Sequence, residues 1–164
     1  MRNTLVIASL IVIPAFASAQ EFTVDPQAVR SCFANTDIGA IYPPCLGQAS
    51  GQCQEHTGGS STMAIVECIQ AETHIWDDIL NEEYQATQAY NAEQDGAGNS
   101  QVLDRTDALR DAQRAWIAFR DADCAARYAI WQDGTIRSIV AANCQLTMTA
   151  SRAVDLRDMR GGMQ

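Results

Sequence analysis

The sequence predicts an all-α protein: a three-helix antiparallel bundle with a disulfide-stapled N-terminal flap. Three observations predict it. From Thr62 onward the apolar residues recur at intervals of three and four, the period of one helix face. No alternating apolar–polar run is longer than a few residues, so nothing calls for a strand. Six cysteines are present, and four of them fall before residue 69, where the chain is rich in Gly, Pro and Ser. A segment so short of apolar surface needs covalent ties to hold it.

Taken in order, the chain opens with Arg2, a short apolar run from Leu5 to Ile13 broken by Pro14, and the small residues Ala17-Ser18-Ala19. This is the three-part layout of a secretory signal peptide over residues 1–19, and the run is too short to span a bilayer. Cleavage after Ala19 leaves Gln20–Gln164, 145 residues. By size that is one domain. No cysteine stands at the cleavage point and no later stretch is apolar enough to anchor. The expected location is therefore the periplasm or the outside, with no membrane anchor after cleavage.

The mature chain divides into a disulfide-rich segment, 20–61, and a helical region, 62–164. In the first, Asp25-Pro26 is an N-cap followed by Pro at the first helical position, which opens a short helix through Ala34. Pro43-Pro44 stops the chain, and Gly47 to Gly59 is expected to be mostly loop. In the second, Ile65, Ile69, Trp76, Leu80 and Tyr84 mark a helix to about Tyr90, with one turn skipped at Glu72. Cys68, Ile75 and Ile79 widen that stripe. Asn91 to Ser100, with Gly96 and Gly98, makes a turn. Leu109, Ala112, Trp116 and Phe119 set the face of the next helix, which Tyr128 and Trp131 continue. A last helix from Thr135 to Met159 carries Ile136, Val140, Leu146 and Val154 and ends at Gly161-Gly162. Trp76 and Trp116 lie nearly equidistant from the first turn, which predicts their contact. Trp116 and Arg120, four apart, can form a cation–π pair.

Cysteines 32, 45, 53, 68, 124 and 144 all lie in the mature chain, and an even number in an exported protein indicates disulfides. Gly134 is the midpoint of Cys124 and Cys144, and residues equidistant from the turn of an antiparallel hairpin face each other. Cys124–Cys144 follows, leaving Cys32–Cys45 and Cys53–Cys68 as neighbours. Cys53-x-x-His56 has the spacing of half a zinc site, without a second half of matching spacing. No metal and no cofactor are expected.

The formal charge of −9 becomes −10 without Arg2, and the chain contains no lysine. Such a surface repels nucleic acid and draws in basic macromolecules. Glu82, Glu83, Asp107 and Asp111 are candidates for an acidic surface on the solvent faces of the helices. An enzyme is not expected. Asp77-Asp78, Glu82-Glu83 and the pair Asp121/Asp123 supply carboxylates, yet adjacent residues on a helix point about 100° apart and do not converge on one substrate atom. His56 and His74 are isolated. No nucleophile motif or phosphate loop appears.

Three stretches carry a resemblance. Trp76-Asp77-x-x-Leu80-Asn81-x-x-Tyr84 resembles the first signature of the LprI-like lysozyme-inhibitor domain family. Gln113-x-x-Trp116-x-x-Phe119-Arg120-Asp121-x-x-Cys124 is similar to the second, with Phe119 where the family more often has Tyr. Cys144 followed by Thr149-x-x-Arg152-x-x-x-Leu156 resembles the third. The resemblance implies a periplasmic or cell-surface protein that binds and inhibits a basic lysozyme. By periodicity the signature residues face neighbouring helices, which gives them a mainly structural role. The competing expectation is a structural or stress-related periplasmic protein that binds another basic partner.

Overall fold

The computed structural model describes residues 22–57, 60–97 and 104–161; the signal segment expected at 1–19 lies outside them. Five helices and no strand form among the described residues. The first, α1 (Pro26–Ala34), begins as the Asp25-Pro26 pair demands: the Asp25 carboxylate accepts from the Gln27 amide at 2.9 Å. Its Phe33 ring meets Trp76 edge-on, with ring centroids 6.1 Å apart.

The second helix, α2 (Gln48–Thr57), occupies most of the stretch expected to be loop. Its sequence has no apolar stripe and carries Gly51 inside, so local propensity does not explain it. Glu72 does. That carboxylate is fully buried and accepts from the Gly47 amide at 2.9 Å and the Ser50 amide at 2.8 Å, closing the exposed amides of the α2 N-terminus. Gly47 has φ +85°, a left-handed conformation that only glycine adopts cheaply, and it aims its N–H at Glu72. The residue that interrupts the apolar stripe of the third helix is thus the cap of the second. The Trp76 indole also donates to Glu72, at 3.2 Å.

Three longer helices follow. The first, α3 (Thr62–Gly96), starts on a Ser61 cap and runs beyond Tyr90, through much of the expected turn. Its last turn is held by the start of α4 (Arg105–Ile130), where the Asp95 carboxylate accepts from the Arg105 amide at 3.1 Å and the Thr106 amide at 3.2 Å. Asp104 caps α4, accepting from the Asp107 amide at 2.7 Å. The chain then turns through Gly134 into α5 (Ile136–Asp158).

Cross-helix bonds give the directions. Gln113 meets Arg152 and Arg120 meets Thr149, so α4 and α5 are antiparallel. Asn91 reaches the Arg105 carbonyl and Asp77 faces Arg120, so α3 and α4 are antiparallel too. Arg120 lies between Asp77 and Thr149, and further along Thr87 donates to the Leu156 carbonyl, so α3 and α5 run parallel. The core lies mainly between α3 and α5, where Ile69, Trp76, Ile79, Leu80, Leu146, Ala150, Ala153 and Leu156 are buried. Both α1 and α2 pack on α3, so helices stand where a flap was expected.

The disulfides are Cys32–Cys45, Cys53–Cys68 and Cys124–Cys144, with Cα–Cα distances of 6.0, 5.7 and 5.5 Å. Cys53 is therefore not available as half of a zinc site.

The inward face of α4 differs from the expected one. Leu109, Gln113, Trp116, Arg120 and Cys124 turn inward, whereas Ala112 and Phe119 are exposed. Polar residues take core-facing places because each has a partner on the far side: Gln113 bonds Arg152, and Arg120 approaches Thr149 and Asp77. Tyr128, Trp131 and Ile136 are exposed as well, although their spacing placed them on apolar stripes. Trp76 finds Phe33 as its ring partner, and Trp116 lies instead beside two guanidinium groups.

Candidate functional site

The three signature stretches divide between two tasks. Trp76, Leu80, Gln113, Cys124, Thr149, Arg152 and Leu156 are buried. Asp77, Asn81, Tyr84, Trp116 and Arg120 border an open groove of about 470 Å³ between α3 and α4, which Arg114 and Ile117 complete. The groove follows from helical spacing: Asp77, Asn81 and Tyr84 repeat every three or four residues along α3, as Arg110, Arg114 and Ile117 do along α4.

Beneath the groove the signature builds a polar ladder. The Arg120 guanidinium lies 5.1 Å from the Trp116 ring centroid, as the spacing of four predicts, and that of Arg152 lies 5.9 Å away. Arg152 donates through Nε to Gln113 Oε1 at 2.9 Å, and its Nη1 stands 3.7 Å from Asp155. Its Nη2 has no hydrogen-bond partner among the described residues. Burial pushes the pKa of Arg152 down, opposed by the charge of Asp155. Arg120 bonds Asp121 at 3.0 Å and faces Asp77 at 4.0 Å. Guanidinium and amide donors beside an aromatic face are equipment for holding a polar group and for locking two helices.

Of the four acidic candidates, Glu82, Asp107 and Asp111 are exposed and Glu83 is half-buried, and each is paired with an arginine. Glu82 takes a two-pronged bond from Arg30 of α1, at 2.7 and 2.8 Å. Glu83 pairs with Arg160, just past the end of α5, whose Nη1 also donates to Thr87 Oγ1 at 2.9 Å. Asp107 and Asp111 share Arg110, at 2.6 and 3.3 Å. Adjacent glutamates thus tie α3 to α1 and to the turn after α5, as the 100° separation requires. Glu82 and Glu83 thereby add cohesion, while Asp107 and Asp111 pair within α4, and the surface field comes from the whole excess of acids. His56 and His74 are exposed.

The hydrogen bonds from Arg30 hold the Glu82 carboxyl below its usual pKa. A carboxyl whose pKa is lower in the folded state adds stability above its unfolded pKa, near 4.3, and loses it as pH falls through the folded value. Both side chains are well exposed, so the pair contributes less than about 1 kcal/mol. Glu82→Gln is expected to be slightly less stable than the parent at about pH 7, with the gap closing in acid as pH falls through the folded-state pKa of Glu82. Thermal melts at neutral pH and in acid, with a gap that persists in acid as the contrary result, check this.

What these features define is a disulfide-tied helical domain in which Arg30–Glu82, Arg120–Asp77 and Arg160–Glu83 join separate elements. The chain belongs to the LprI lysozyme inhibitor family: the family model described as "Lysozyme inhibitor LprI" matches residues 53–156. It is also 25% identical over 147 residues to the "Uncharacterized 17.7 kDa protein in puhA 5'region" of Rhodobacter capsulatus, covering 87% of each chain. No solved structure matches. The matched span holds all three signature stretches, α3, α4 and nearly all of α5. Among the described residues no helix is long and apolar enough to cross a membrane.

Proposed function

We propose that this protein is exported and acts as a reversible inhibitor of a basic lysozyme, not as an enzyme. The family match over residues 53–156 carries the reading. The charge supports it: −10 once Arg2 is removed, against a strongly basic target, gives long-range attraction that raises the encounter rate. Three disulfides suit an oxidising compartment. The signature residues mainly set the helix packing on which the contact surface is carried.

The test is clearance of bacterial cell walls by a basic lysozyme, with and without the purified protein, at low and at physiological salt. Screening beyond about 8–10 Å slows association, so the on-rate falls with salt. Inhibition persists, because a desolvated contact is not screened in the same way. Cytochrome c serves as a basic decoy. Inhibition that the decoy abolishes, or that is missing at physiological salt, would leave a general binder of basic partners in its place.

A further inference from the structure

The α4–α5 hairpin ends in a projection that no packing requirement explains. Every residue from Ala125 to Ile136 is exposed. Ala125 and Tyr128 border a cleft with Val66 and Gln70 of α3, and the turn beyond them, residues 129–135, is open to solvent. Beyond Cys124, α4 continues for six residues, or about 9 Å of rise.

The projection is dressed for contact. Ile130 is 76% exposed, Trp131 51%, Ile136 48% and Tyr128 39%. Apolar side chains gathered so openly at one end mark an interaction surface, and Trp, Tyr and Arg are the types that dominate interface energetics. Its charge departs from the rest of the chain. Between residues 125 and 137 stands one acid, Asp133, against Arg127 and Arg137, with Arg127 paired to Asp123 at 2.8 Å, in a sequence with 20 acids and 11 arginines. Arg137 is held at the tip: its guanidinium lies 5.0 Å from the Tyr128 ring centroid, and its Nη1 donates to the Gln132 carbonyl at 3.0 Å. The Cys124–Cys144 disulfide clamps the base of the projection. A tip ordered before binding loses little freedom on binding.

A lysozyme cleft is concave and holds two carboxylates. An acidic protein can enter it only with a convex, non-acidic element that brings its own cation. We infer that the α4–α5 tip is that element, with Trp131 and Ile130 filling the cleft and Arg137 facing its carboxylates. This rests on the inhibitor reading above and names its contact surface. The groove between α3 and α4 is concave, and two concave surfaces do not interlock.

The experiment compares Trp131→Ala and Arg137→Glu with two controls, Phe119→Ala and Arg105→Glu, which remove an exposed ring and reverse an exposed charge away from the tip. Trp131, Phe119 and Arg105 are exposed and Arg137 is partly exposed, so the fold is expected to survive, and circular dichroism and melting verify it. Lysozyme binding is measured by calorimetry and inhibition by cell-wall clearance, each with and without a chitin oligosaccharide occupying the cleft. Each tip variant is expected to weaken binding at least 30-fold at physiological salt, while each control stays within about threefold. The oligosaccharide is expected to compete with the parent protein. If the parent binds lysozyme and the tip variants bind equally well, or the sugar does not compete, the tip is overturned while the inhibitor reading stands. If the parent binds no lysozyme, both fall together.

Discussion

Replacing Glu72 with alanine is expected to cost about 3 kcal/mol and to lower the melting temperature by about 10 °C. The buried carboxylate serves three donors on two elements: the Gly47 and Ser50 amides at the start of α2, and the Trp76 indole on α3. Removing it leaves donors without an acceptor, and each buried one costs about 1–3 kcal/mol. Glu72→Gln separates charge from shape. Its carbonyl can replace Oε1, which serves Gly47 and Trp76, but its amide confronts the Ser50 N–H that now bonds Oε2. A loss of about half that of the alanine variant is expected. Denaturant unfolding gives the magnitudes, and amide exchange gives the place. The Gln48–Thr57 helix should exchange fast in Glu72→Ala while the buried turns of α3 and α5 stay protected. An α2 as protected as in the parent would show that the cap does not hold it.

Loss of the Cys124–Cys144 disulfide, by changing both residues to alanine, is expected to lower the unfolding free energy by about 3 kcal/mol. The bridge closes a 20-residue separation, and much of its contribution comes from restricting the unfolded chain. Both cysteines are buried against the helices they join, so the alanines also leave unfilled space. The location matters as much as the size. Outside this clamp the last turns of α4 and the turn at Gly134 are exposed, so their amides are expected to exchange much faster in the variant. Lysozyme inhibition should weaken with them even at temperatures where the variant is fully folded. Urea unfolding, amide exchange and inhibition at one temperature test the three parts. An unchanged exchange pattern at residues 125–136 would remove the clamp from the explanation.

The helices α3, α4 and α5 were legible because burial of one face imposes a period of three or four over many turns, and that period survives in the sequence. The α1 start was legible from Asp25-Pro26, since a cap is a local event. The Gly134 midpoint pointed to Cys124–Cys144 because hairpin symmetry is also local. Site residues were legible unevenly. The Trp116–Arg120 pair follows from spacing on one helix. The ladder from Gln113 to Arg152 does not, because an apolar period assigns polar residues to solvent, and here each polar group is satisfied from another helix.

By itself, then, the sequence determined what depends on neighbours along the chain: an all-helical domain, the period of its long helices, its excess acid and the signatures of its family. Tertiary structure alone decided what depends on partners far away. Gln48–Thr57 is helical because Glu72, some twenty residues on, closes its first amides. Glu82 and Glu83 are cohesive because Arg30 and Arg160 reach them from opposite ends of the chain. Tyr128 and Trp131 have the spacing of a buried stripe and are exposed because the other helices do not cover the end of α4. A hydrophobic period shows that a face can be buried; only the placement of the remaining helices shows whether anything covers it.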